Sequence, residues 1–133
     1  MNKLSIIIPI FNEEKHIKKL IKKIKTINLN RVGFNKEIIA IDDGWTDKSF
    51  SILSKISGIK VFKQKNYGKG KAVQHGIKKS LGKYVLIQDG DLEYNPKDIV
   101  KMCRSIKNEK KISVYGSRYL PLILKIFPKY YKN

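Results

Sequence analysis

Tyr84-Val85-Leu86-Ile87-Gln88-Asp89-Gly90-Asp91 decides how this chain reads. Five residues suited to a buried strand run into two carboxylates separated by one glycine. A strand end sends such side chains out at the carboxyl edge of a sheet, where open α/β sheets bind ligands. Two acids one residue apart can share a divalent cation, which takes oxygen ligands and bridges to phosphates. Gly90 leaves the backbone room to turn. An isolated Asp-x-Asp is more often a solvated loop pair. This one gains weight from the segments before it.

Working back from that stretch, Leu4-Ser5-Ile6-Ile7-Ile8-Pro9-Ile10 reads as a first buried strand and Glu37-Ile38-Ile39-Ala40-Ile41 as a second. Both are short β-branched runs bounded by turn signals. Ile59 to Phe62 reads as a third strand, Tyr84 to Gln88 as a fourth and Ile112 to Tyr115 as a fifth. Helical patterns fill the gaps. Ile17, Leu20, Ile21 and Ile24 make an apolar stripe at i, i+3, i+4, i+7, with Asn12 as its predicted N-cap. Phe50, Leu53 and Ile56 turn inward on the next helix. Val73, Gly76, Ile77 and Ser80 mark the face of a third. Ile99, Met102, Cys103 and Ile106 stripe a fourth, opened by Asn95-Pro96. Strands alternating with crossover helices predict an α/β fold with a mostly parallel, Rossmann-type sheet covered on both faces.

The chain has 133 residues, which predicts a single domain over residues 1–133. Hydrophobic residues make up 41% and charged residues 30%, as in a soluble globular protein. The net charge is +18, nearly all from lysine, and favours anionic partners. The lysines are spread along the chain, with no basic block interleaved with aromatics. This argues against a nucleic-acid binder. One cysteine, Cys103, excludes an intramolecular disulfide and reads as a buried small hydrophobe. No signal peptide or membrane-spanning run is expected.

Three strands end in acids or polar turns at one edge: Asn12-Glu13, Asp42-Asp43 and Asp89/Asp91. In a doubly wound sheet these edges converge on one crevice. Carboxylates there can accept hydrogen bonds from ribose hydroxyls or base N–H groups, or hold a metal against a diphosphate. Thr46 and Asp47 read first as helix caps. Asn66-Tyr67-Gly68-Lys69-Gly70-Lys71 resembles a phosphate cradle without P-loop spacing, and Tyr67 either stacks on a base or covers the loop. His16 and His75 read as surface or packing residues.

Taken together, Ile7-Ile8-Pro9-Ile10-Phe11-Asn12-Glu13-Glu14, Ile41-Asp42-Asp43-Gly44, Asn66 to Lys71, Gln88 to Pro96 and Tyr115-Gly116-Ser117-Arg118 resemble the family 2 glycosyltransferases of GT-A fold. The branch they look like is the polyprenyl-phosphate (dolichyl-phosphate mannose or glucose synthase-like) group. The resemblance implies inverting transfer of a hexose from a UDP- or GDP-sugar to a lipid-linked phosphate at a membrane surface, in cell-envelope polysaccharide or glycolipid biosynthesis. It implies that Pro9, Phe11 and Glu13 line the nucleotide pocket, and that Asp42, with Asp43, contacts the base. It gives Asp89 and Asp91 the catalytic role of holding Mg²⁺ or Mn²⁺, and makes Lys71 and Arg118 phosphate contacts. A cytoplasmic location, peripheral at the inner membrane face, goes with it.

The chain departs from the family pattern in three places. Trp45 stands where the family has serine, Gly90 where it has alanine, and the family continues for many tens of residues beyond this length. The expected sheet is therefore incomplete at the C-terminus, with the remainder lost or supplied by a partner chain. The alternative expectation is a truncated, catalytically inactive module that binds nucleotide sugar.

Overall fold

The computed structural model describes residues 1–44 and 46–106. Trp45, the expected fifth strand at 112–115, Arg118 and the apolar tail at 120–127 lie outside the described residues. Among the described residues, four parallel strands form one sheet in the order β3-β2-β1-β4. These are β1 (Asn2–Ile10), β2 (Phe34–Asp43), β3 (Lys60–Gln64) and β4 (Tyr84–Ile87). The helices are α1 (Ile17–Thr26), α2 (Ser49–Ser54), α3 (Lys69–Lys79) and α4 (Asp98–Ile106), with a short 3₁₀ turn at Asn30–Val32.

Alternation along β1 sorts the helices. Ile6, Ile8 and Ile10 share a core with Ile17, Leu20, Ile21 and Ile24 of α1, Leu53 of α2, and Ile99, Cys103 and Ile106 of α4. Ile7 points the other way, to a smaller core with Ile39, Ile41 and Ala72 of α3. Right-handed crossovers produce this split. The chain steps outward from β1 through β2 to β3 on one face. It then crosses back to β4, which puts α3 on the opposite face. A ten-residue helix such as α1 is marginal alone in water. Its four buried apolar side chains, each worth about 1.5–3 kcal/mol of burial, hold it in place.

Two expected faces differ from the structure. On α3 the residues against the sheet are Ala72 and Gly76, while Ile77 is exposed. A Cβ on Gly76 would run into Ile7, so this helix packs through its smallest residues rather than its branched ones. The sequence predicts β4 to be buried on both sides, yet Val85 and Ile87 are 42% and 50% exposed. Among the described residues, α3 packs over β1 and β2 and leaves that face of β4 uncovered. No helix among the described residues is long and apolar enough to cross a membrane.

At the opposite end of the sheet from the acid-bearing strand ends, Glu37 ties three strands together. Its carboxylate accepts hydrogen bonds from Ser5 Oγ at 2.5 Å, Lys60 Nζ at 2.8 Å and the Leu81 N–H at 2.6 Å. Ser5 Oγ in turn accepts the Gly82 N–H at 2.8 Å.

Candidate active site

The order β3-β2-β1-β4 places a topological switch point between β1 and β4, where a ligand crevice is expected outside the carboxyl ends. A cleft of about 250 Å³ lies there, lined by Pro9, Ile10, Phe11, Glu13, Asp43, Lys69, Asp89, Gly90 and Asp91. Pro9, Phe11 and Glu13, from the end of β1 and the loop after it, form one wall, and Asp89 and Asp91, after β4, the other.

The acid pair is held close to β1 by the ladder. The Gln88 N–H donates to Ile7 O at 2.9 Å, so Asp89 leaves the sheet one residue after the last parallel bond. Asp91 Oδ1 accepts the Glu93 N–H at 3.1 Å, which shapes the turn behind it. Gly90 is buried. A Cβ there would lie 3.2 Å from Glu13 Cγ and 3.4 Å from Pro9 O, so glycine lets the two walls approach without displacement. Burial raises the Glu13 pKa, the Asp91 and Asp47 charges raise it further, and His16 opposes them.

The loop after β1 is fixed by the loop after β2. Asn12 adopts φ 53°, in the left-handed region that asparagine tolerates, and its Oδ1 accepts Thr46 Oγ1–H at 2.9 Å. The Glu13 N–H donates to Ser49 Oγ at 2.9 Å. The Glu14 N–H donates to Asp47 Oδ2 at 3.0 Å, and Glu14 Oε2 accepts the Lys48 N–H at 3.0 Å. Asn12 is thus not the N-cap of α1, which starts at Ile17 after His16. The cap position of α2 falls to Lys48, which makes no side-chain cap bond, while Asp47 just before it accepts the Ser49 N–H through Oδ1 at 2.9 Å. Ser49, unsuspected from the sequence, is the buried hydroxyl that holds Glu13 at the cleft.

The β2 acids part company because consecutive strand residues face opposite sides. Asp43 lines the cleft, while Asp42 is fully buried beneath it and is not among the lining residues. Asp43 also serves the fold directly. Its Oδ1 accepts the Tyr67 N–H and Gln64 Nε2–H, fixing the loop before α3.

That loop delivers Lys69, not Lys71, to the cleft. Gly68 at φ 89°, ψ 161° uses a conformation nearly confined to glycine, and Lys69 follows as the first residue of α3. Lys71 lies about 200° further round the helix. It is exposed and lies away from the lining. The helical period, applied from Gly68 onward, is the signal that separates the two lysines. Lys69 Nζ forms an ion pair with Asp89. Tyr67 is 64% exposed beside this loop, its ring free to meet a ligand. His16 is exposed, and His75 packs beside Phe62 with Nδ1 3.0 Å from Gln64 Oε1.

No group of three or more His, Cys, Asp or Glu among the described residues is placed to hold a metal ion. The donor set on offer is the pair Asp89 and Asp91. Such a pair suits a cation that draws its remaining ligands from water and substrate phosphates, the usual habit of Mg²⁺. Asp89 already holds a positive charge in the form of the Lys69 ammonium.

A family model described as "Glycosyl transferase family 2" matches residues 5–123. A protein of Methanocaldococcus jannaschii that has no assigned function is 33% identical over 129 residues, covering 87% of this chain and 53% of that one. A protein of Pyrococcus furiosus named dolichol-phosphate mannosyltransferase is 33% identical over 122 residues, covering 89% and 34%. A Rhizobium johnstonii protein named dodecaprenyl-phosphate galacturonate synthase is 31% identical over 121 residues, covering 86% and 36%. The chain thus spans about half the length of the first relative and about a third of the other two. Among solved structures, S. aureus TarS 1–349 superposes with a TM-score of 0.66 at 28% identity over 80% of this chain and 32% of that one. The mannosyltransferase PcManGT from Pyrobaculum calidifontis, solved with GDP-Man and Mn²⁺, superposes with a TM-score of 0.61 at 18% identity over 80% and 32%, a likeness of fold.

Proposed function

The chain belongs to glycosyl transferase family 2, and from that premise we propose that it transfers a hexose, with inversion, from a UDP- or GDP-sugar to a polyprenyl-phosphate acceptor. The observation that carries this reading is the convergence of Glu13, Asp89 and Asp91 on one cleft at the switch point of the sheet. The relatives named for dolichol phosphate and dodecaprenyl phosphate support the acceptor class.

In this reading Pro9 and Phe11 flank the nucleoside and Glu13 accepts hydrogen bonds from its ribose hydroxyls. Asp89 and Asp91 would hold Mg²⁺ or Mn²⁺. Bound there, the cation would neutralise charge developing on the nucleoside diphosphate as it leaves. An acceptor phosphate oxygen forms its bond to the anomeric carbon as the bond to the diphosphate breaks. That oxygen is already anionic near neutral pH, so little or no general base is required of the protein. A lipid-linked acceptor would bring the chain to a membrane surface as a peripheral protein.

Thermal unfolding with UDP, GDP and their hexose conjugates, in Mn²⁺ and in EDTA, tests the reading. A ligand that binds only the folded state stabilises it by about 2.7 kcal/mol at a hundredfold excess over its Kd. The expected result is an upward shift with one nucleotide class that EDTA and Asp91→Ala both erase. No shift from a cooperatively folded chain would overturn it. A shift without transfer to any polyprenyl phosphate would narrow the role to binding nucleotide sugar.

A further inference from the structure

Charge in the cleft is lopsided. Among the described residues that line it, Glu13, Asp43, Asp89 and Asp91 are acids and Lys69 is the one base. The Lys69 ammonium is paired with Asp89, and both groups stay accessible, with side chains 61% and 34% exposed. An accessible pair of this kind is weakly held and exchanges partners readily. A carboxylate oxygen engaged by an ammonium is also an occupied ligand position. A metal ion that takes Asp89 through Oδ1, the oxygen that meets the ammonium, displaces the lysine.

We propose that Lys69 is a displaceable counter-ion: it neutralises Asp89 in the free protein, yields that carboxylate to the entering divalent cation, and then pairs with the diphosphate of the donor. The inference rests on the nucleotide-sugar reading above and adds to it a residue with two successive partners. Its consequence is a pair of effects of opposite sign. Without Lys69, the metal alone binds more tightly, because nothing competes for Asp89. Without Lys69, the nucleotide with metal binds less tightly, because the diphosphate loses an ammonium. A lysine remote from both the metal and the diphosphate produces neither effect, and only one that meets both produces the two together.

The test uses the whole chain as wild type, Lys69→Gln, Lys69→Arg and Lys18→Gln. Lys18 lies on the exposed face of α1 and controls for the loss of one positive charge. Mn²⁺ binding in the absence of nucleotide is followed by the paramagnetic resonance of the free ion. UDP and GDP binding with Mn²⁺ is followed by calorimetry, and unfolding curves verify that each variant is folded. Relative to Lys18→Gln, Lys69→Gln should bind Mn²⁺ about two- to fivefold more tightly, the range of an exposed ion pair. It should bind the nucleotide with Mn²⁺ about tenfold more weakly, the loss of a charge-assisted hydrogen bond. Lys69→Arg should keep nucleotide binding near wild type. Mn²⁺ affinity that is equal in the two glutamine variants, or nil in both, overturns the proposal, as does unchanged nucleotide affinity in Lys69→Gln. A wild-type chain that binds no nucleotide with Mn²⁺ sinks the functional reading and this inference together. A wild type that binds while Lys69→Gln matches it sinks the inference alone.

Discussion

The Asp43 carboxylate at the end of β2 accepts the Tyr67 N–H at 3.0 Å, and this bond sets the loop that leads into α3. The same Oδ1 accepts Gln64 Nε2–H at 2.8 Å. Asp43 is buried, so removing it strands a backbone donor and an amide donor together. Asp43→Ala should cost about 1–3 kcal/mol. At about 4 °C per kcal/mol for a chain of this size, Tm should fall by roughly 4–12 °C. Asp43→Asn keeps an acceptor oxygen and should lose less than half of that. Equal losses in the two variants would mean that charge, not hydrogen bonding, is what the loop requires.

Glu37 gives the fold an acid limit. Burial pushes its carboxyl up, but hydrogen bonds from Lys60, Ser5 and the Leu81 N–H outweigh that, together with the Lys60 charge, and hold it down to about 2. A folded pKa below the usual 4.5 means that the stabilisation is complete above about pH 5 and is lost as pH falls toward 2. The Glu37 side chain is 11% exposed but its Lys60 partner is 40% exposed, so solvent screens part of the pairing and the contribution is on the order of 1–2 kcal/mol. Denaturant unfolding of wild type and Glu37→Gln should show a gap of that order at pH 6 which closes between pH 5 and pH 2. A gap that persists at pH 2 would show that shape rather than charge holds the three strands.

Asp42 carries the opposite sign. Burial pushes its carboxyl up, Lys63 opposes this, and Asp47 and Asp43 add to it. Both carboxylate oxygens lack a hydrogen-bond partner among the described residues. A raised folded pKa favours the fold at low pH, and that contribution is lost as pH rises through it. Asp42→Asn should therefore stabilise the chain at pH 8, by an amount on the order of 1 kcal/mol, and by less at pH 4. Urea midpoints at the two pH values measure the difference. A variant that is destabilised equally at both would show that the carboxylate has a partner the fold depends on.

Apolar patterning alone locates β1, β2 and α1 in the sequence, because the two strands are short isoleucine-rich runs and the helix repeats its apolar stripe without a gap. The acids of the cleft are legible because strand ends in a parallel sheet share one edge. Asn12 misleads because its side chain has the chemistry of a cap but reaches across to Thr46 in another loop. Lys69 and Lys71 look alike in the sequence until the helix start is fixed, and only then does Lys69 emerge as the one that lines the cleft. The face of α3 is obscure for a related reason. Val73 and Ile77 carry the hydrophobicity, but Ala72 and Gly76 carry the close approach, and small residues leave little trace in a hydrophobic pattern.

Gly76 offers the sharpest test of that close approach. In an exposed helix, Gly→Ala stabilises by about 1 kcal/mol. Here the added methyl would press into Ile7 Cγ2 and lie 3.2 Å and 3.3 Å from Cγ1 and Cδ1. Ile7 is fully buried and packed with Ile39, Ile41 and Ala72, so it has nowhere to retreat. Overpacking costs about 1–3 kcal/mol, which should outweigh the helical gain. Ile7→Ala alone should cost about 2–5 kcal/mol by leaving a hole. In the double variant the new methyl occupies part of that hole, so the combined loss should fall short of the sum by about 1 kcal/mol or more. Additive losses would mean that α3 slides outward to admit the methyl. Lys69 begins that helix, so a slide would draw it from Asp89, and Gly76→Ala would then alter Mn²⁺ affinity in the same direction as Lys69→Gln.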